Sequence, residues 1–212
     1  MTTAIGIRWY PRKEETLLRS IETIGHDYTV YPDGQTLPLL YDVKSKLIGE
    51  HAGCFKHYYR VIEDLCKQDV DIVGSFPDDI IYSKGWLDIA LRQFRANPYV
   101  GYLDCFTALG LAHGKGWRNK KGWQELKGGW GESWGGAYLF RKDVALKWLK
   151  HPFILNHLEN YKPNQQIDAA IPEAIHQMGL FQFYHIPSLV KHIGMTSTIG
   201  HKHRRMDDAV GW

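Results

Sequence analysis

The sequence predicts an α/β fold: one domain with a mostly parallel sheet flanked by helices. Three observations carry this. Apolar strand-like runs alternate with amphipathic helical stretches about every 15 to 20 residues through the first half of the chain, the pattern of strand–helix–strand crossovers. The runs are short and bounded by Gly, Pro and Asp, as buried strands are. The 212 residues suffice for one sizeable core.

The elements follow in order. Thr3–Tyr10 reads as a first strand, closed by Pro11. Lys13–Gly25 places Leu17, Leu18, Ile21 and Ile24 on one helical face and stops at a glycine. Asp27–Gly34 reads as a second strand running into a turn. Cys54–Gln68 is an amphipathic helix with Phe55, Tyr58, Tyr59, Ile62 and Leu65 as core candidates. Val70–Phe76 is a third strand, Gly85–Pro98 a third helix and Tyr99–Phe106 a fourth strand. Ala108–Glu132 then breaks the rhythm as a long Trp- and Gly-rich loop or insert. So long a stretch in a compact domain is expected to be functional or mobile. Trp134–Lys150 gives a further strand and helix, Asn164–Gly179 a helix started by Asp168 and Pro172, and Leu180–Gly194 a last strand with its exit.

Composition narrows the function classes. Hydrophobic residues at 44% and charged residues at 23% are those of an ordinary globular protein, which excludes a disordered chain. A net charge of +3 neither demands nor excludes nucleic acid as a partner. Three widely spaced cysteines without a CxxC pair fit a reducing compartment. No apolar run reaches the roughly 18 residues of a membrane helix, and no charged-then-apolar leader opens the chain. The expectation is a cytoplasmic protein with no stem or anchor.

Five features bear on chemistry. Asp78 and Asp79 follow the third strand, at the end where parallel sheets keep their ligands. They are either a turn or a magnesium or manganese site completed by phosphates. Gly135 and Gly136 precede a strand, as a tight turn or a place of close backbone approach to a ligand. His192 lies past the last strand, as a structural hydrogen-bonder or a metal ligand. Asp168 is a helix cap or a general base. Four tryptophans, Trp117, Trp123, Trp130 and Trp134, fall within 18 residues rich in glycine and lysine. They either pack on the core or stack on sugars or bases. No P-loop, GxGxxG or GxSxG occurs. "HKHRR" (residues 201–205) reads as a disordered basic tail rather than a metal or phosphate site.

Taken in order, "GIRWYPRKEETLLRSIETI", the acid pair, "WGGAYLFRKDVA", the D-x-x-I-x-x-A-I-x-x-M-G helix and "HIPSLVKHIG" resemble the GT-A family of nucleotide-sugar glycosyltransferases, phage, bacterial or N-acetylglucosaminyltransferase-like. The resemblance implies a single Rossmann-like GT-A domain over residues 1–200 and a basic tail over 201–212. It implies a metal-dependent hexosyl-type transfer from a nucleoside-diphosphate sugar, a UDP-sugar in the first place, to an acceptor hydroxyl, with Mn2+ or Mg2+ and with inversion. By that resemblance Asp79 and His192 hold the metal. Arg8, Tyr10, Arg12, Asp33, Gly53, Lys56, Asp78, Trp134, Gly135 and Gly136 hold the donor, and Asp168 is the base. Trp117, Trp123 and Trp130 are assigned to the acceptor, a saccharide or a modified DNA. Pro77 departs from the family, standing where Glu or Gln is usual. Two competing readings remain. One is a phage-type DNA glycosyltransferase acting on a hydroxymethylated base, with Lys115, Lys120, Lys121, Arg204 and Arg205 on phosphates. The other is an inactive nucleotide-sugar-binding module.

Overall fold

The computed structural model describes residues 1–11, 16–38, 43–126, 136–160, 167–194 and 209–211, with only the backbone at 167–169. Its strands are β1 (Thr3–Trp9), β2 (Thr29–Pro32), β3 (Ile72–Pro77), β4 (Ile80–Tyr82), β5 (Val100–Asp104), β6 (Gly122–Leu126), β7 (Tyr138–Arg141), β8 (Phe181–Ile186) and β9 (Val190–His192). Its helices are α1 (Thr16–Ile24), α2 (Gly53–Leu65), α3 (Trp86–Ala96), α4 (Leu109–Gly114), α5 (Lys142–Leu149), α6 (Pro152–Glu159) and α7 (Ile167–Gln177).

Seven strands form one sheet in the order β2-β1-β3-β7-β5-β8-β6, and β4 and β9 form a second, two-stranded sheet. β2, β1, β3, β5 and β8 run one way, and β7 and β6 run against them. The architecture is the expected α/β sheet, mostly parallel and flanked by helices. Its strands are apolar on both faces because helices cover both. Ile5, Ile7, Phe76 and Leu103 pack with Leu17, Trp86, Leu91 and Phe94 of α1 and α3. Ala4, Val73, Tyr102 and Phe140 pack with Tyr58, Ile62, Trp148 and Ile171 of α2, α5 and α7.

Four local expectations change. The stretch expected to be irregular from 108 to 132 contains, in its described part, α4 and the edge strand β6. β6 pairs antiparallel with β8 from Gly122↔Ile186 to Leu126↔Gln182. As an edge strand with one partly solvated face it lacks the apolar run of an interior strand. α6 begins on Pro152 as its first residue, where the missing N–H costs nothing, and the sequence pattern had not suggested it. α7 carries Pro172 inside rather than at its start; Ala170, Ile171, Ala174 and Ile175, all fully buried, hold that helix on the sheet. The expected last strand divides at a cis Ile186–Pro187 bond, and its second part, β9, joins β4. The residues called a disordered tail, 201–205, lie outside the described ones. At 209–210 the chain is docked: Val210 donates to the Thr107 carbonyl and accepts from the Ser188 amide, both at 2.9 Å.

Candidate active site

The carboxyl ends of β1, β2, β3, β5 and β8 lie along one edge of the sheet, and the start of the antiparallel β7 joins them there. Ligand sites of open α/β sheets form at this edge. Nine of the residues expected to act are spread along or beside it.

β3 ends on Pro77, the register partner of Arg8 in β1. Proline cannot donate to a ladder, so the strand stops there and the two acids turn out of the sheet. β4 follows at once and pairs with β9, with Ile80 opposite His192. The Ile193 amide donates to the Asp79 carbonyl at 2.8 Å. This small sheet brings His192 Nδ1 to 3.5 Å from Asp79 Oδ1, and the His192 ring packs edge-on against Phe106. Asp78 is 1% exposed and its Oδ2 accepts from the Thr16 hydroxyl of α1 at 3.4 Å. Two largely buried carboxylates side by side repel each other, and a cation or a partner donor relieves that.

This donor set suits a hard divalent ion. Asp79 and His192 supply an oxygen and a nitrogen beside each other, and Asp78 supplies a neighbouring carboxylate. Among the described residues no group of three or more His, Cys, Asp or Glu side chains is arranged to hold a metal. Two side chains plus phosphate oxygens and water complete such a shell in Mg2+-type sites.

On the β1–β2 side, Asp33 is fully buried and ties down the entry to α2. Its Oδ1 accepts from the Ala52 amide at 3.0 Å and its Oδ2 meets His51 Nδ1 at 2.8 Å. Gly34 has φ of 72° there, and a Cβ on it would lie 2.1 Å from the His51 amide nitrogen, so only glycine fits. Gly53 opens α2 and Lys56 stands half-buried in its first turn. Tyr10 Oη lies 3.2 Å from His57 Nδ1. Burial lowers the His57 pKa to about 4, so the ring is neutral at physiological pH, and burial pushes the Tyr10 phenol well above its ordinary value. Arg8 is 2% exposed. Its Nη2 donates to the Gly136 carbonyl at 2.8 Å, and its guanidinium lies 5.0 Å over the Tyr58 ring. Gly136 has φ of 64°, and a Cβ there would sit 2.9 Å from that same nitrogen.

Arg8, Tyr10, Asp33, Gly53, Lys56, Asp78, Asp79, Gly136 and His192 are thus distributed along or beside one edge. Arg12, Trp130, Trp134 and Gly135 lie outside the described residues, as does the side chain of Asp168, the second residue of α7. Trp117 and Trp123 are half-buried at the far end of the sheet, against Tyr184 and His185 respectively. Sequence reading passed over Asp104, the fully buried last residue of β5, and the side chains of Cys54 and His57. An acid closing a strand, in "YLDCF", was the available signal for the first.

Neither a protein-family model nor a curated protein sequence matches the chain. Solved structures do match. The structure of GalNAc-T7 with UDP, GalNAc and Mn2+ superposes with a TM-score of 0.61 at 10% identity, over 91% of this chain and 44% of that one. A CMP:2-keto-3-deoxy-manno-octonic acid synthetase complexed with CTP superposes with a TM-score of 0.54 at 12% identity, over 87% of this chain and 89% of that one. The fold is therefore GT-A-like, a Rossmann-like α/β architecture. The chain spans less than half the length of GalNAc-T7. No helix among the described residues is long and apolar enough to cross a membrane.

Proposed function

We propose that this chain is a metal-dependent glycosyltransferase that moves a sugar from a nucleoside-diphosphate donor, a UDP-sugar in the first place, to an acceptor hydroxyl with inversion. The observation that carries the reading is the β4–β9 pairing, which sets His192 against Asp79 directly beside the buried Asp78. On this reading Asp79 and His192 hold Mn2+ or Mg2+, which when bound offsets the charge growing on the departing diphosphate. Asp78, held by Thr16, orients the ribose or the metal's waters. Tyr10, Asp33, Gly53 and Lys56 receive the nucleotide, with Arg12, and Gly136 faces the donor sugar with Trp134 and Gly135. Asp168 takes the acceptor proton as the hydroxyl oxygen attacks the anomeric carbon. Trp117 and Trp123, with Trp130, offer apolar faces to the acceptor, a saccharide or a modified base in DNA.

A second reading draws on the synthetase likeness, which spans most of both chains: nucleotidyl transfer to a sugar acid. The two chemistries release different products. The protein is incubated with Mn2+ and either UDP-sugars plus acceptors or CTP plus sugar acids. Nucleoside diphosphate release that stops in Asp79→Asn supports glycosyl transfer. Pyrophosphate release instead supports the second reading. Neither product from any pair, with a folded protein, leaves the inactive binding module as the account.

A further inference from the structure

The three cysteines sit in opposite surroundings. Cys66 and Cys105 are buried, and burial pushes the first up to about 11 and the second well above its ordinary value. Cys54 is only half-buried. It is the second residue of the 13-residue α2, whose N-cap Ala52 supplies no side-chain cap. Its sulfur therefore lies at the end of the helix where unsatisfied amides favour negative charge.

Arg8 supplies the independent observation. Its guanidinium is 2% exposed and permanently charged. Nη1 points at Cys54 Sγ, 4.0 Å away. Nη2 is taken by the neutral Gly136 carbonyl, and Nε has no hydrogen-bond partner among the described residues. No carboxylate among the described residues lies within ion-pair distance of it. A buried cation without a counter-charge is costly, so an anion is expected in contact with it. The groups around it are Tyr10 just after β1, Cys54, His57 and Tyr58 on α2, and Tyr138 on β7. Asp33 is committed to Ala52 and His51. Burial holds the Tyr10 and Tyr58 phenols protonated and His57 neutral. Nη1 meets the Cys54 sulfur, an acid whose anion supplies the missing counter-charge.

We infer that Cys54 is the thiolate partner of Arg8 and hence a nucleophilic modification site for small electrophiles and low-molecular-weight disulfides. In the disulfide case the Cys54 thiolate attacks one sulfur, a mixed disulfide forms as the original S–S bond breaks, and the departing thiolate leaves with the electron pair and takes a solvent proton. Thiolates beside cations at helix starts react in this way.

The test is the rate of carbamidomethylation of the intact native chain by iodoacetamide between pH 5.5 and 9.5, read separately for Cys54, Cys66 and Cys105 by peptide mass spectrometry. The expected midpoint for Cys54 lies at least about one pH unit below the roughly 8.5 of a free thiol. At pH 7 Cys54 reacts at least about ten times faster than the two buried cysteines. Arg8→Met raises the midpoint by about a unit, a tenfold loss of rate on the acid limb, while Arg8→Lys keeps it low. Tyr10→Phe, which removes a neighbouring phenol, serves if Arg8→Met does not fold. A wild-type midpoint at or above that of a free thiol overturns the assignment, as does a low midpoint that Arg8→Met leaves unmoved in a folded protein.

Discussion

Around β1, β2 and β3 the carboxyl edge of the sheet is lined by polar side chains that are almost wholly buried: Arg8, Asp33, His57, Asp78 and Asp79. Each is placed by a neighbouring strand or helix. At the other end, around β8, β6 and α4, the outward groups stand in solvent. Trp117 and Trp123 are half-buried, and Lys115, Arg118, Lys120 and Lys121 are exposed. The first region has been given its geometry in advance, at the cost of burying charge. The second keeps its apolar faces open. On the proposed function, a donor whose diphosphate is common to many sugars suits a preorganised site, and a variable acceptor suits an adaptable surface. The following experiments are chosen to break that contrast.

The largest effect belongs to the buried side. Asp79→Asn keeps the shape and removes the charge, and transfer should fall about 100- to 1000-fold, of the order found for loss of one preorganised electrostatic group. Its melting temperature should barely move. A large fall in melting temperature with activity retained would make Asp79 structural.

Next comes acidity. His57 is neutral in the folded chain, with its pKa lowered to about 4 by burial, and protonates near 6.5 when unfolded. The unfolded state therefore binds more protons between these values. The stability this group contributes is intact above about pH 6.5 and is lost as pH falls towards 4, by up to about 3 kcal/mol in total. Urea unfolding of His57→Asn should show a shallower loss than the wild type over that window; parallel curves would mean that His57 is not the group responsible.

On the open side effects should be smaller and specific to the acceptor. Trp123→Ala should raise the acceptor KM up to about tenfold, the worth of one aromatic contact, and leave slow donor hydrolysis without acceptor unchanged. An equal effect on donor hydrolysis would erase the distinction between the two regions. The smallest change is Val210→Ala. It trims a buried side chain and should cost about 1 kcal/mol in chemical denaturation. No cost would mean that the docked end of the chain contributes little to this side of the fold.

How much was legible follows the same division. β3, β5, α2 and α3 could be read because helices cover both sheet faces, so their strands and helix faces are continuously apolar. β6 escaped because Gly122–Leu126 buries only Leu126 fully. β4 escaped, and β9 was not separated from the strand before it, because three residues carry no period of their own and β4 finds its partner more than a hundred residues later. Asp78, Asp79 and His192 could each be singled out by type and position. That Asp79 and His192 meet is a property of that distant pairing. Nothing in "GIRWY" announces that Arg8 is buried beside Cys54 with no carboxylate among the described residues within ion-pair distance. Local pattern reports which residues are apolar; it is silent on which polar residues the fold will enclose.

The account turns on a cation-dependent diphosphate site at Asp79 and His192. It is tested most directly by the melting temperature of the wild type and of Asp79→Asn with a UDP-sugar, with and without Mn2+. At a ligand concentration about 100 times Kd the wild type should gain roughly 5–10 °C, from about 2.7 kcal/mol of binding linkage in a chain of this size. The gain should require Mn2+ and vanish in Asp79→Asn. An equal gain without the metal, or in the variant, would contradict the account.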